Sequence, residues 1–507
     1  MTLTGLVENL SEGYMVSQVG VITAFFVLGA LFLQAFGGRV KRERTMGLLL
    51  AFPTGFSLFA VPAYLILCLG IPYGRVSISV GLIVLAVMSA GVIIRHVKMV
   101  DINDVRKELM LALCCVAAVF GISIMLTTNP FHVALDNDSL YYFSTYPEAI
   151  VMEGGYIKQF DVFLTDASPI GSIIHTLPYI YGFSETFGIQ YFMDLSFLLL
   201  FAYGMYKELS GVFDKREAIA CSAVSVFFLM TSSAYLTTAK WIMAGVYFMS
   251  FYFICAYLGY FSSRISMEER PHVLLALFAV VTAMMRHEGV AMVLILVLTL
   301  SALSGYSGKE LVSVFILPVM IAAGLYYIRV FLILKVFPLY AFLTPAKAVV
   351  FIAALALSGV YLLFVRERLG NRWKRRVFLI LPGLLLAANI GLLILRGGRY
   401  LGNLKMFYLN VRIGAGWGYF GYIAAAVILI LFLKAALRKE KYLLFFDSLM
   451  LSYVLMVFLV SFGRGDSLRK GVGDSGNRVM LTAVPLIVFA VILRIFCSER
   501  GKEEVTE

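Results

Sequence analysis

Charge is scarce in this chain: Asp, Glu, Lys and Arg together supply 14% of 507 residues, where a soluble domain carries about 25%. That shortage excludes both an ordinary soluble enzyme and a disordered segment. Cysteine is also sparse. The six, Cys68, Cys114, Cys115, Cys221, Cys255 and Cys497, lie in apolar runs without metal-ligand spacing, so they read as small core residues rather than disulfides or ligands. The chain has no glycine-rich phosphate loop, no Cys or His metal cluster and no nucleophile elbow. No internal repeat is found, which withholds support from the inverted-repeat plan of many transporters. Residues Met1 to Tyr14 carry Glu8 and Glu12 and no basic residue, unlike a cleavable signal.

Apolar residues, in contrast, reach 61%, with a mean hydropathy of +0.91. A membrane-crossing helix needs roughly 20 apolar residues, and fifteen apolar segments are read here. They fall near 16–36, 45–69, 76–95, 109–126, 188–206, 218–235, 241–262, 272–285, 289–304, 311–333, 348–365, 377–395, 422–437, 443–462 and 479–497. The expected fold is an all-α polytopic membrane protein with about 13–15 transmembrane helices.

Lysine and arginine concentrate in alternate connections. Arg39, Lys41, Arg42 and Arg44 fill one, Arg95, Lys98, Arg106 and Lys107 the next, and Lys207, Lys215 and Arg216 another. Later come Arg366, Arg368, Arg372, Lys374, Arg375 and Arg376, then Lys434, Arg438, Lys439 and Lys441. By the positive-inside rule these are cytoplasmic, with the N-terminus outside and the C-terminus in the cytoplasm. The rule also accounts for the net charge of +12 without nucleic acid as a partner.

Segment 272–304 bears on that assignment. As one helix it would be about 50 Å long, with Arg286 and Glu288 at mid-bilayer, and it would turn the six-cation loop at 366–376 outward. A hairpin of two short helices, turning at Arg286-His287-Glu288-Gly289 near the outer face, keeps that loop inside and implies a local cavity.

One connection is long. Residues 127–188, on the outer side, hold Asp136, Asp138, Glu148, Glu153, Asp161, Asp166 and Glu185 against a single Lys158. Stretches Leu140 to Met152 and Ile170 to Tyr181 have the pattern of helices lying on a membrane surface. The loop opens on Asp136-Asn137-Asp138, and two carboxylates so spaced can share a divalent cation, or one can serve as a base whose pKa the other raises. A solvated acidic loop is the bland reading of the same residues. Later outer loops are basic: Arg396, Arg399, Lys405 and Arg412 without an acidic residue, then Arg464, Arg469, Lys470 and Arg478 against Asp466 and Asp474. Arginine forks suit phosphate, although such residues also meet lipid headgroups.

These features together resemble the GT-C-type integral-membrane glycosyltransferases, the group containing protein O-mannosyltransferases and lipid A aminoarabinose transferases. Asp138-Ser139-Leu140-Tyr141-Tyr142 resembles the acidic start of that family's first outer loop. Gly154-Gly155, Ser168-Pro169-Ile170-Gly171 and His175-Thr176-Leu177-Pro178 are similar to its continuation. Met285-Arg286-His287-Glu288-Gly289 resembles its short Arg-x-Glu-Gly turn, and Asn477-Arg478-Val479-Met480 with Ala483-Val484-Pro485-Leu486 its Arg-to-Pro entry into a last span.

The resemblance implies a three-helix N-terminal addition over residues 1–108, a GT-C-like core over 109–497 containing extracytoplasmic loop 127–188, and a cytoplasmic tail over 498–507. It further implies transfer of a sugar from a polyprenyl-phosphate donor to a lipid, glycan or protein acceptor, at the extracytoplasmic face of what is expected to be a bacterial plasma membrane. Its implied catalytic residues are Asp138 as base, with Asp136 and His175. Arg396, Arg399, Lys405, Arg412, Arg478 and Lys240 would hold the donor phosphate, and Arg286 with Glu288 would pin the hairpin or line its cavity. Any cofactor would be a divalent cation on Asp136 and Asp138. Implied partners are the lipid-linked sugar and membrane lipid.

Two other readings use the same charges. A transporter or flippase of an anionic or lipid-linked substrate would need ionisable residues near mid-bilayer on several helices, where only the acids Asp194 and Asp447 are evident. A surface-polysaccharide polymerase or ligase would carry its main outer loop later in the chain.

Overall fold

The computed structural model describes residues 14–96, 140–166, 168–182, 188–232, 235, 244–337, 342–412, 423, 426, 445–463 and 479–496. Among these residues all regular structure is helical and there is no strand. Seven helices are long and apolar enough to cross a membrane, joined by five shorter apolar ones, which fits a polytopic membrane protein. Every expected segment inside the described residues is helical. Segments 109–126 and 422–437, apart from residues 423 and 426, lie outside them.

The chain begins with α1 (Tyr14–Phe36), α2 (Arg44–Leu69) and α3 (Arg75–His96). Short helices α4 (Tyr146–Glu153), α5 (Asp161–Asp166) and α6 (Leu177–Tyr181) follow. Then come α7 (Gly188–Leu209), α8 (Lys215–Met230), α9 (Ala244–Ser262), α10 (His272–Met285), α11 (Gly289–Leu300), α12 (Gly308–Ile333) and α13 (Pro345–Arg368). The last are α14 (Asn371–Leu395), α15 (Gly397–Arg412), α16 (Phe445–Gly463) and α17 (Ala483–Phe496).

Contacts define two ends of the bundle. At the basic end Arg39 and Arg42 meet Glu269, Lys207 meets Glu43, and Arg264 meets Glu208. Exposed pairs of this kind contribute little, about 0–1 kcal/mol. Two buried arginines matter more there. Arg366 donates to the carbonyls of Ser301, Leu303 and Tyr306 at 2.7–2.9 Å. Arg270 reaches the carbonyls of Ile265 and Gly305 and both oxygens of Glu310, which also accepts from or shares a proton with His272 at 2.7 Å. Turns between apolar helices leave carbonyls without partners, and these guanidinium forks satisfy them. The six-cation connection thus supplies a structural clamp as well as charge.

Helix α2 passes through the interior of the bundle. Phe52 packs on Phe192 of α7 and Phe56 on Tyr247 and Phe251 of α9, while the Tyr64 hydroxyl donates to the Ala322 carbonyl of α12 at 2.8 Å. Its union with α1 rests on small residues. A Cβ at Gly29 would meet the Ala51 carbonyl oxygen at 1.8 Å, and one at Gly55 would meet the Phe25 carbonyl oxygen at 1.8 Å. Such backbone-to-backbone approach is how helices gain van der Waals contact where lipid offers no hydrophobic drive.

Adding one methyl at either position must therefore part the helices. Gly29→Ala and Gly55→Ala are each expected to cost about 1–3 kcal/mol or more, lowering the apparent melting temperature in detergent. Gly20→Ala, on the same helix as Gly29 but with open space around it, should melt like the parent; equal melting of all three variants would refute this packing.

Candidate functional site

The loop end carries the site, and three short helices shape it. Helices α10, α11 and α17 have 14, 12 and 14 residues, hence lengths of about 21, 18 and 21 Å against roughly 30 Å of hydrocarbon. Each has one end anchored at the basic end, through His272 with Glu310, Ser301 with Arg366, and Arg494 with Asp447. Helices of that length fall about 10 Å short of the hydrocarbon thickness, at the ends opposite these anchors. The hairpin turn sits there, within electrostatic reach of Tyr453 in the middle of α16. As the sequence reading has it, two arms of 14 and 12 residues are too short to cross a bilayer fully.

The turn itself is tightly built. Arg286 donates through Nε to Glu288 at 2.6 Å, and both side chains are largely buried. Gly289 donates its N–H to the Arg286 carbonyl at 2.9 Å, and a Cβ there would meet the Ala283 and Thr282 carbonyl oxygens at 2.6 Å. The His287 ring lies between Tyr326 and Phe342, with centroids 6.0 and 6.2 Å away. An ion pair so largely buried is costly unless its partners stay matched.

A layer from residues 140–182 fits over the hairpin. Residues 140–153 have the expected amphipathic pattern: Phe143, Tyr146, Pro147 and Ile150 are buried and Leu140, Tyr141, Glu148 and Met152 exposed. Stretch Ile170 to Tyr181 departs from expectation. It does not lie on a surface, because residues 168–178 are buried throughout. Its isoleucines face the bundle on every side, so this segment fills part of the depth that the short helices leave. Ile170 donates its N–H to the Met284 carbonyl at 3.1 Å and Ser168 donates its hydroxyl to the Met285 carbonyl, closing the orphan carbonyls at the end of α10.

Tyrosines solvate the rest of the dipping backbone. Tyr326 donates to the Leu164 carbonyl at 2.6 Å and Tyr156 to the Pro169 carbonyl at 3.2 Å, while the Tyr73 and Thr176 hydroxyls pair at 2.8 Å. Burial raises the hydroxyl pKa of Tyr73 and Tyr156 well above the ordinary value, so they act as neutral donors. Asp166 accepts from the Phe342 N–H at 2.8 Å and Thr165 from the Leu343 N–H at 3.1 Å, tying the layer to the start of α13.

His175 is buried under this layer, with Nε2 3.2 Å from the Tyr247 hydroxyl and Phe143 edge-on against its ring. Desolvation pushes its pKa down to about 3, so it is neutral across physiological pH and faces the core. Arg399 donates to the Phe462 carbonyl at 3.0 Å and lies over the Phe462 ring, capping α16, whereas Arg396 and Lys405 are exposed at the loop end. Arg412 ends α15, which folds back along α16 so that Phe407 meets Phe458. Asp136, Asp138, Lys240 and Arg478 lie outside the described residues. Asp447 pairs with Arg494, and Asp194 accepts from the Tyr235 hydroxyl at 2.9 Å. Among the described residues no group of three His, Cys, Asp or Glu could hold a metal.

The structure therefore brings Arg286, Glu288, His287 and the buried face of the layer together, and leaves Arg396 and Lys405 separate from them. Sequence reasoning passed over Arg329, the one charged residue in the apolar run 311–333, which donates to the Tyr156 carbonyl of the layer at 3.3 Å. Its isolation in that run was the available signal. No family model, curated protein or solved structure matches the chain.

His175 makes the layer acid-sensitive. Its folded pKa lies below the unfolded value of about 6.5, so its contribution is complete above pH 6.5 and declines as pH falls toward 3, by about 1.4 kcal/mol per unit. In thermal unfolding at pH 7 and pH 4.5, His175→Gln should start less stable yet lose less on acidification than the parent. An identical pH dependence in both would contradict neutral burial.

Proposed function

We propose that the chain is a membrane glycosyltransferase that moves a sugar from a polyprenyl-phosphate donor to a hydroxyl acceptor at the loop end of the bundle, which is the extracytoplasmic side. The observation that carries this reading is the hairpin stopping within the bundle, with a buried Arg286–Glu288 pair at its turn, beneath a rigid layer whose helices begin two residues after Asp138. Such an arrangement suits a lipid-linked substrate, whose reacting carbon must be reached from within the bilayer rather than from bulk water.

In the proposed reaction the acceptor oxygen attacks the anomeric carbon of the sugar. Asp138 takes the hydroxyl proton, the new glycosidic C–O bond forms, and the bond from the anomeric carbon to the phosphate oxygen breaks. The electron pair leaves with the polyprenyl phosphate, whose charge the cations of the loop end meet. Asp136 raises the affinity of Asp138 for that proton, or shares a divalent cation with it. Glu288 and Arg286 fix the position of the acceptor from the floor of the site. The transporter reading draws on the same charged end, but no observation on the described residues favours it.

Transfer of radiolabelled sugar from polyprenyl-phosphate donors to membrane acceptors tests the reading directly. Loss of a general base typically costs about 10²–10⁴-fold in rate, the fall expected for Asp138→Asn, with a smaller one for Asp136→Asn. Undiminished transfer in both variants removes the carboxylate role. Movement of donor across liposomes without a covalent product replaces the enzyme with a transporter.

A further inference from the structure

Arg329 lies four residues from the loop end of α12, hence about 6 Å below it. Among the described residues no carboxylate forms an ion pair with Arg329. Nη2 donates to the Tyr156 carbonyl at 3.3 Å, and Nε is buried without a hydrogen-bond partner. Nη1 rests against the turn that ends α2, where a Cβ on Gly70 would come within 2.6 Å of it. Gly70 has φ +71°, a left-handed conformation that glycine adopts without strain, so backbone geometry and the absence of a side chain both make room for the guanidinium.

A partly buried guanidinium inside a membrane helix normally finds an anionic partner. Here the described residues provide one neutral oxygen for five N–H donors. The other arginines at comparable depth differ: Arg270, Arg286 and Arg494 each hold a carboxylate, and Arg366 holds three carbonyls beside Glu367. Arg329 is partly open to the surface, and its neighbours Leu69, Ile71, Ile328 and Leu332 are exposed aliphatics. Such a rim suits hydrocarbon chains rather than water.

We propose that the seam between the end of α2 and α12 is a binding site for the phosphate headgroup of an anionic membrane lipid, held by the Arg329 fork with its chains along Leu69, Ile71, Ile328 and Leu332. The site is distinct from the hairpin turn and stands whether or not the chain transfers sugar. Through the Tyr156 carbonyl it touches the layer over the hairpin, so an occupied seam also steadies that layer.

The full-length protein in maltoside micelles, which contain no phosphate, provides the test. Phosphatidylglycerol is titrated in, bound lipid is counted by native mass spectrometry, and the shift of the unfolding temperature is followed. The parent should retain lipid and gain stability, Arg329→Gln should bind about tenfold more weakly or worse, and Arg329→Lys, which keeps the charge but loses the fork, should fall between. Arg75→Gln, which removes an exposed cation at the same end, should behave as the parent. Unchanged binding in Arg329→Gln, or an equal loss in Arg75→Gln, overturns the site in favour of diffuse charge attraction. An equal shift from inorganic phosphate alone overturns its lipid character. Where Arg329→Gln fails to give monodisperse protein, Arg329→Lys carries the test, and parental affinity in that variant refutes the fork.

Discussion

Backbone amides that leave helical geometry inside a bilayer must find partners within the protein, because the hydrocarbon offers none. The loop end of this chain is organised around that constraint. Helices α10 and α11 are short, and a segment of short helical turns and connecting backbone packs over them. Its carbonyls at Leu164 and Pro169 are met by the hydroxyls of Tyr326 and Tyr156, and its own Ile170 N–H and Ser168 hydroxyl close the carbonyls left open at the end of α10. Each partner satisfies the other, so the turn and the layer are stable only together.

Mutual satisfaction also braces the layer against its neighbours. Stacking of Tyr146 on Phe163 at 4.6 Å ties α4 to α5, and the bonds from Asp166 and Thr165 tie α5 to the start of α13. Asp138 precedes the first described residue of this unit, Leu140, by two positions. A base must hold its position closely to be effective, so the role proposed for Asp138 draws on this bracing.

Helix positions, the hairpin at 286–289 and the clustering of basic connections at one end were readable from hydropathy and charge. These signals are local or cumulative, and each apolar run reports its own length. The shortness of the two arms about Arg286 was readable as well; their anchorage at the basic end through His272 and Arg366 was not, because it depends on tertiary partners. Burial of 168–178 was hidden for a related reason: Ser168, Gly171, His175 and Thr176 make the segment polar enough to pass for a surface helix, and only the tertiary partners at Met285, Tyr73 and Tyr247 show how that polarity is satisfied. Arg399 shows what a count of cations leaves out. Its charge suggested a phosphate ligand, while one of its donors is engaged by the carbonyl of Phe462.

Arginine therefore has three uses in this fold, and charge counting alone cannot separate them. At the basic end Arg366 and Arg270 spend most of their donors on carbonyls of turns, acting as rigid substitutes for water. Arg286 and Arg494 neutralise single buried carboxylates and so fix one helix against another. Arg329 does neither: among the described residues it meets one carbonyl at 3.3 Å, and its buried Nε has no partner. An arginine keeps its proton on burial, so these donors stay available to the lipid phosphate proposed for the seam. Open donors of this kind, more than the abundance of cations at either end, set this residue apart from those that serve the fold.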